Sequence, residues 1–403
     1  MKALLSVLCA TVLVVVSAHA QTHYPVGRKN FFFENPTGQG SPRISCTVFY
    51  PAVSTGDKTP ILRRSGGWPV VVFLHGHSLP GFLYVELGFH LAERGYLTVL
   101  KSTTRYDADL QYKDALALIP ALQFEHLRKG AFLQGQLDTD RMGLAGHSMG
   151  GGNTIRVLTA TRRFKAAVVF APWIGFGSKW VEKEAALVRT PIAIITGQGD
   201  TISPWDKHGS VLFDQLKAPD SKTLYVLNKD CDHLNVVAWI NSTRPWAKEV
   251  FEGSMDVATG VLDHYLLNDQ RGLDRVVGPA SKTNKRLFQH KVRAARPEYF
   301  KSGPEGLGKT TLLHIMSAPG PAAHFVSYRA SRIPTPFGLF FLDLSTVMLP
   351  VIGFVAQSGV LPMPWKIPDD TRLKGAYMTF QGLGMGRSGV RLTTTSVDLF
   401  VPK

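Results

Sequence analysis

Cysteine is scarce in this chain: 403 residues contain three, and Cys9 falls inside an N-terminal apolar run. Only Cys46 and Cys231 remain beyond it, enough for one bridge at most, which excludes a disulfide scaffold. Each lies in or beside a strand-like run, one early and one late, and such sheet positions rarely meet closely enough to pair. Acidic residues are also few, 30 against 45 Lys plus Arg, for a formal net charge of +15. That surplus serves solubility and favours anionic surfaces or polymers without identifying one. After the N-terminal run no stretch is both long and apolar enough to span a bilayer, which takes about 20 residues.

What is present starts with "MKALLSVLCATVLVVVSAHAQT": a basic Lys2, an apolar run from Ala3 to Val16, and the small-residue site Ala18-His19-Ala20. This is the pattern of a secretory signal, so residues 1–20 are expected to be removed after Ala20 and the mature protein to be secreted, extracellular or periplasmic. The remaining length, with 44% hydrophobic and 19% charged residues overall, suits two cores.

From Ile44 to about Leu267 the chain alternates apolar strand-like runs ("PVVVFL", "YLTVLK", "RMGLAG", "AAVVFAP", "PIAIITG", "TLYVLN") with helical patterns, including one from Tyr112 to Phe132 and a long one from Pro245 to Leu267. Fully apolar strands between helices imply a mostly parallel, doubly wound sheet covered on both faces. Residues 281–304 are strongly basic and read as a solvated connector. Beyond about residue 305, short apolar runs punctuated by Pro and Gly imply a small all-β sandwich.

One stretch, "GPEGLGKTT" (Gly303–Thr311), fits the phosphate-binding pattern G-x-x-x-x-G-K-[ST] letter for letter. Such a loop works only between a buried strand and a helix whose amide end meets the phosphates. Here "RPEYFKS" precedes it and "TTLLHIMSAPGP" follows, so it reads as a turn feeding a strand, and no nucleotide is expected.

A second motif has the right surroundings. Gly146-His147-Ser148-Met149-Gly150 fits G-x-S-x-G between a strand and a helix, the place of a serine nucleophile on a tight turn. Its partners should follow as an acid and then a histidine, each after a strand. Asp200 after "PIAIITGQG" and His233 after "TLYVLNKDCD" meet that order, whereas Asp206, Asp230, Asp232 and His208 lie on helix or loop positions. Ser148 as nucleophile, His233 as general base and Asp200 as orienting acid describe acyl transfer. The amides of Met149 and of His77, in "HGHS" after "PVVVFL", are candidate oxyanion donors. His75 and His77 flank a glycine, but no metal spacing accompanies them, so neither metal nor cofactor is expected.

These blocks, together with "LAERGYLTVL", "FKAAVVFAPW" and "DHLN", resemble the dienelactone-hydrolase-like α/β hydrolases, and within them the bacterial cutinases and polyethylene terephthalate hydrolases, over about residues 40 to 270. The resemblance implies an α/β-hydrolase domain over 21–280, with the same triad, the same oxyanion amides and a substrate cleft lined by His77, Trp173 and Ile202. His77 stands where that family usually has an aromatic clamp, and the family's late disulfide is missing. The segment 305–403 resembles β-sandwich modules of secreted bacterial proteins. The resulting expectation is a secreted carboxylic ester hydrolase acting on small, polyester or cutin-like esters. No nucleic acid partner is expected; an anionic surface or polymer is the other partner class, through the basic connector or the β-module. A non-catalytic surface-binding protein on the same scaffold, or an amidase or peptidase using the same triad, are the alternatives.

Overall fold

The computed structural model describes residues 23–102, 106–175, 183–217, 219–240 and 242–401, so the expected signal peptide and its cleavage site after Ala20 lie outside the described residues. The first unit is built on a ten-stranded sheet of order β10-β9-β8-β7-β6-β4-β5-β2-β1-β3. Its centre is parallel: β4 (Trp68–Leu74), β5 (Leu97–Lys101), β6 (Leu137–His147), β7 (Phe164–Phe170), β8 (Ile192–Gly197) and β9 (Ser221–Leu227). Antiparallel β1 (Val26–Glu34) and β2 (Arg43–Pro51), with the two-residue β3 (Gly56–Asp57), close one edge.

Every residue of β4 and β8 is buried because helices cover both faces. Val70, Val72 and Leu74 point toward α2 (Ala108–Leu127) and α3 (Met149–Ala160), meeting Leu118, Ala121, Ile155 and Leu158. The alternate residues Val71 and Phe73 face α1 (Val85–Glu93) and the long helix Ala247–Leu267, through Leu87, Leu91, Val250 and Leu262. α2 begins earlier than its apolar pattern, because the Asp107 carboxylate accepts from Leu110 N at 2.9 Å and caps the helix. Among the described residues no helix is long and apolar enough to cross a membrane. Cys46 and Cys231 are both buried and free.

The segment read as a solvated connector is largely sheet. β10 (Leu287–Ala294) pairs antiparallel with β9 as the other edge of the large sheet. Its charges hid a one-sided strand: Val292 and Ala294 are buried, while Lys291 and Arg293 alternate with them toward solvent. β11 (Glu298–Ser302) then opens the second unit, where β11, β12 (Thr310–Met316) and β17 (Val360–Lys366) form one antiparallel sheet. The facing sheet holds β13 (Ala318–Ser327), β16 (Val347–Val355), β18 (Tyr377–Gly386) and β19 (Gly389–Phe400), and a ribbon of β14 (Ala330–Thr335) and β15 (Gly338–Leu342) lies beside it. Tyr299, Leu313 and Ile315 of the first sheet pack on Val326, Phe380, Val397 and Leu399 of the second, which makes a β-sandwich. The chain is thus an α/β-hydrolase fold followed by a small β-sandwich. "GPEGLGKTT" feeds strand β12 rather than a helix.

Candidate active site

β6 ends at His147 and α3 starts at Met149, so Ser148 is the whole of the turn between them. Its φ is +53°, a left-handed conformation that a serine adopts only under constraint. The constraint is local. Ser148 N donates to the Phe170 carbonyl at 3.0 Å, and the Ser148 carbonyl accepts from Gly152 N at 3.1 Å and Trp173 N at 2.9 Å. The glycines of the motif are required for the close approach of strand and helix. A Cβ on Gly146 would stand 2.3 Å from the Gly150 carbonyl oxygen, and one on Gly150 would stand 2.1 Å from that of Leu74.

Asp200 follows β8 by three residues and its carboxylate is fully engaged. Oδ1 accepts from Ile202 N at 2.9 Å and Ser203 N at 2.8 Å, and Oδ2 lies 2.8 Å from His233 Nδ1. That pairing puts the imidazole proton on Nδ1 and leaves Nε2 as the acceptor, the form a general base needs. Of the rival carboxylates, Asp230 pairs with Arg286 and Asp232 with Arg244. His208 packs against Trp173, with ring centroids 4.7 Å apart, and accepts from Ile174 N at 3.2 Å; burial above all lowers its pKa from the ordinary value.

Ser148 and His233 are both nearly buried, and their loops meet through His147, whose Nε2 is 2.7 Å from the His233 carbonyl oxygen and whose ring centroid is 4.6 Å from that of His233. A hydrogen bond from the Ser148 hydroxyl to the His233 ring is not among those that the described residues make; a serine side chain swings about one bond, and in ligand-free sites this contact commonly tightens only around substrate. Met149 N belongs to the first turn of α3, where amides have no intrahelical partner.

A cleft of about 490 Å³ opens beside the turn, lined among others by His77, Tyr106, Met149, Asn153, Arg156 and Trp173. It gathers two of the three expected substrate contacts. Ile202 is not in its lining; the side chain is 55% exposed, and the residue is tied to the site by its amide on Asp200. His75 and His77 diverge, the first buried and within 3.5 Å of Gln111 Nε2, the second against the edge of Tyr106. Sequence reasoning passed over His147, Tyr84 and Gln111. Of these only His147 carried a signal, as the variable letter before the serine.

The model of the family described as "PET hydrolase-like" matches residues 45–250. Among curated proteins, bis(hydroxyethyl) terephthalate hydrolase of Streptomyces coelicolor is 28% identical over 184 residues, 45% of this chain and 53% of that protein. Cutinase 1 and Cutinase 2 of Thermobifida cellulosilytica are 29% and 26% identical, each over 45% of this chain and 63% of their own length. The chain spans about half the length of the curated relatives it matches.

Proposed function

The chain belongs to the PET hydrolase-like family, and from that premise we propose that it is a secreted serine hydrolase cleaving carboxylic esters through an acyl-enzyme on Ser148. The observation that carries the reading is the 2.8 Å pairing of His233 Nδ1 with Asp200 beside a serine strained onto a left-handed turn. His233 Nε2 takes the hydroxyl proton as Ser148 Oγ attacks the ester carbonyl, and Asp200 stabilises the resulting imidazolium. The tetrahedral oxyanion is met by the amides of Met149 and His77. Its collapse expels the alcohol, which receives the proton from His233. Water, deprotonated by the same imidazole, then releases the acid and restores the serine.

The cleft supports a flat or extended acyl group held between Trp173 and His77. The names of its relatives make terephthalate and cutin-like esters the first substrates to try. Export with cleavage after Ala20, a catalytic unit from residue 21 through β10 and a β-sandwich from β11 onward complete the reading. The test offers the mature chain short p-nitrophenyl esters, bis(2-hydroxyethyl) terephthalate, the matching anilides and a fluorophosphonate probe, beside Ser148→Ala. Ester turnover and labelling in the parent, both lost in Ser148→Ala, are expected. A parent that neither turns over nor labels would be a binding protein on a hydrolase scaffold, and faster anilide cleavage would make it an amidase.

A further inference from the structure

His147 stands between the expected nucleophile and two loops that the mechanism uses, and its own ring is completely buried. Its Nε2 lies 2.7 Å from the His233 carbonyl oxygen, which can only accept, so Nε2 carries a proton. Burial, with the nearby His233 adding to it, holds the pKa of His147 well below the ordinary histidine value, so the ring is neutral and Nδ1 is a bare acceptor. The group facing Nδ1 is the Tyr84 hydroxyl at 3.0 Å, which must therefore donate to it. Tyr84 Oη in turn accepts from Gly76 N at 2.8 Å. The hydrogen bonds thus run in one direction, from the Gly76 amide through Tyr84 and His147 to the carbonyl of His233.

Resting on the ester-hydrolase reading above, we propose that Tyr84 and His147 are positioning residues which fix the oxyanion loop and the general-base loop against each other. Gly76 directly precedes His77, whose amide is the proposed second oxyanion donor, and His233 is the proposed base. The remaining side of that loop is held independently: Gln111 Nε2 donates to the His75 carbonyl at 3.0 Å, and Asn153 Nδ2 donates to Gln111 Oε1 at 2.9 Å. Gly76 has no room for a side chain here, since a Cβ would lie 3.0 Å from His147 Nδ1 and 3.2 Å from Tyr84 Oη. Preorganised donors lose catalytic value when displaced by fractions of an ångström, so the relay acts on turnover more than on binding.

The test uses the mature chain and its variants Tyr84→Phe, His147→Gln, His147→Phe and the double variant with both phenylalanines, each checked by thermal unfolding. Tyr84→Phe keeps the ring against Phe73, at 4.8 Å between centroids, and removes only the hydroxyl. Its kcat on a short ester is expected to fall about tenfold or more while KM holds, with fluorophosphonate labelling slowed in parallel. His147→Gln, whose amide N–H can reach the His233 carbonyl, retains more turnover than His147→Phe, and the double variant falls less than the product of its singles. Unchanged kcat in folded Tyr84→Phe, a loss confined to KM, or fully multiplicative effects would each overturn the inference. If His147→Phe fails to fold, Tyr84→Phe and His147→Gln decide it. A parent without turnover or labelling defeats the ester-hydrolase reading instead, so the two failures are told apart.

Discussion

Asp200 accepts three hydrogen bonds with two oxygens, and only one of them goes to His233. The two backbone amides hold the carboxylate still, as the orienting role proposed for it requires. Asp200→Asn keeps the shape and exchanges an acceptor for a donor opposite His233 Nδ1. The imidazole must then turn its lone pair to the introduced amide and its proton toward Ser148. A fall in kcat of about 10⁴-fold with little change in KM or in the unfolding midpoint is expected from steady-state kinetics on a short ester. At this scale residue type and chain order were legible, because a strand end is where an open α/β sheet offers side chains to a ligand. Orientation was not: nothing in the letters says that Ile202 contributes its amide to Asp200 while its side chain stays outside the cleft.

Elements with a fully apolar run were readable because a strand buried on both faces has no other composition open to it. Those with one wet face were harder. β1, in which Phe32 is 63% exposed, and β10, with its Lys and Arg, do not have that signature. The junction between the units was equally invisible. Glu298 of β11 is buried against the long helix, with Oε2 2.7 Å from His264 Nε2 and Oε1 accepting from Tyr265 Oη at 2.7 Å. Burial first, and then the Glu298 charge, push the Tyr265 phenol well above its ordinary pKa. Glu298→Ala leaves two buried groups without their partner and is expected to cost about 3 kcal/mol, measured as a lowered urea midpoint. An unchanged midpoint would show that this junction contributes nothing to stability.

For the whole molecule, acid sensitivity follows from histidines buried neutral in the sandwich. His314, beside Ser302 Oγ at 2.7 Å, and His324, beside Tyr299 Oη at 2.7 Å, are each lowered to about 4, chiefly by burial. Their unfolded values lie near 6.5, so below that pH the unfolded chain binds more protons than the folded one. Stability is complete above about pH 6.5 and is lost as pH falls toward about 4, with each histidine costing about 2 kcal/mol at pH 5. Urea unfolding at pH 7.5 and 5.0 checks this: the midpoint should drop at the lower pH, and less so in His324→Gln. The sequence by itself determined the class of fold, the order of the apolar central strands and the helices between them, and a short set of chemical candidates, since burial on two faces and tight turns leave marks in composition and spacing. Only the tertiary structure decided which candidates meet, how β10 and β11 join the two units, and that His147 and Tyr84 lie between two loops of the site. Those contacts link Gly76 to His233 through Tyr84 and His147, and hydrogen bonds such as that from His147 to His233, 86 residues apart, depend on the packed sheet rather than on any local pattern.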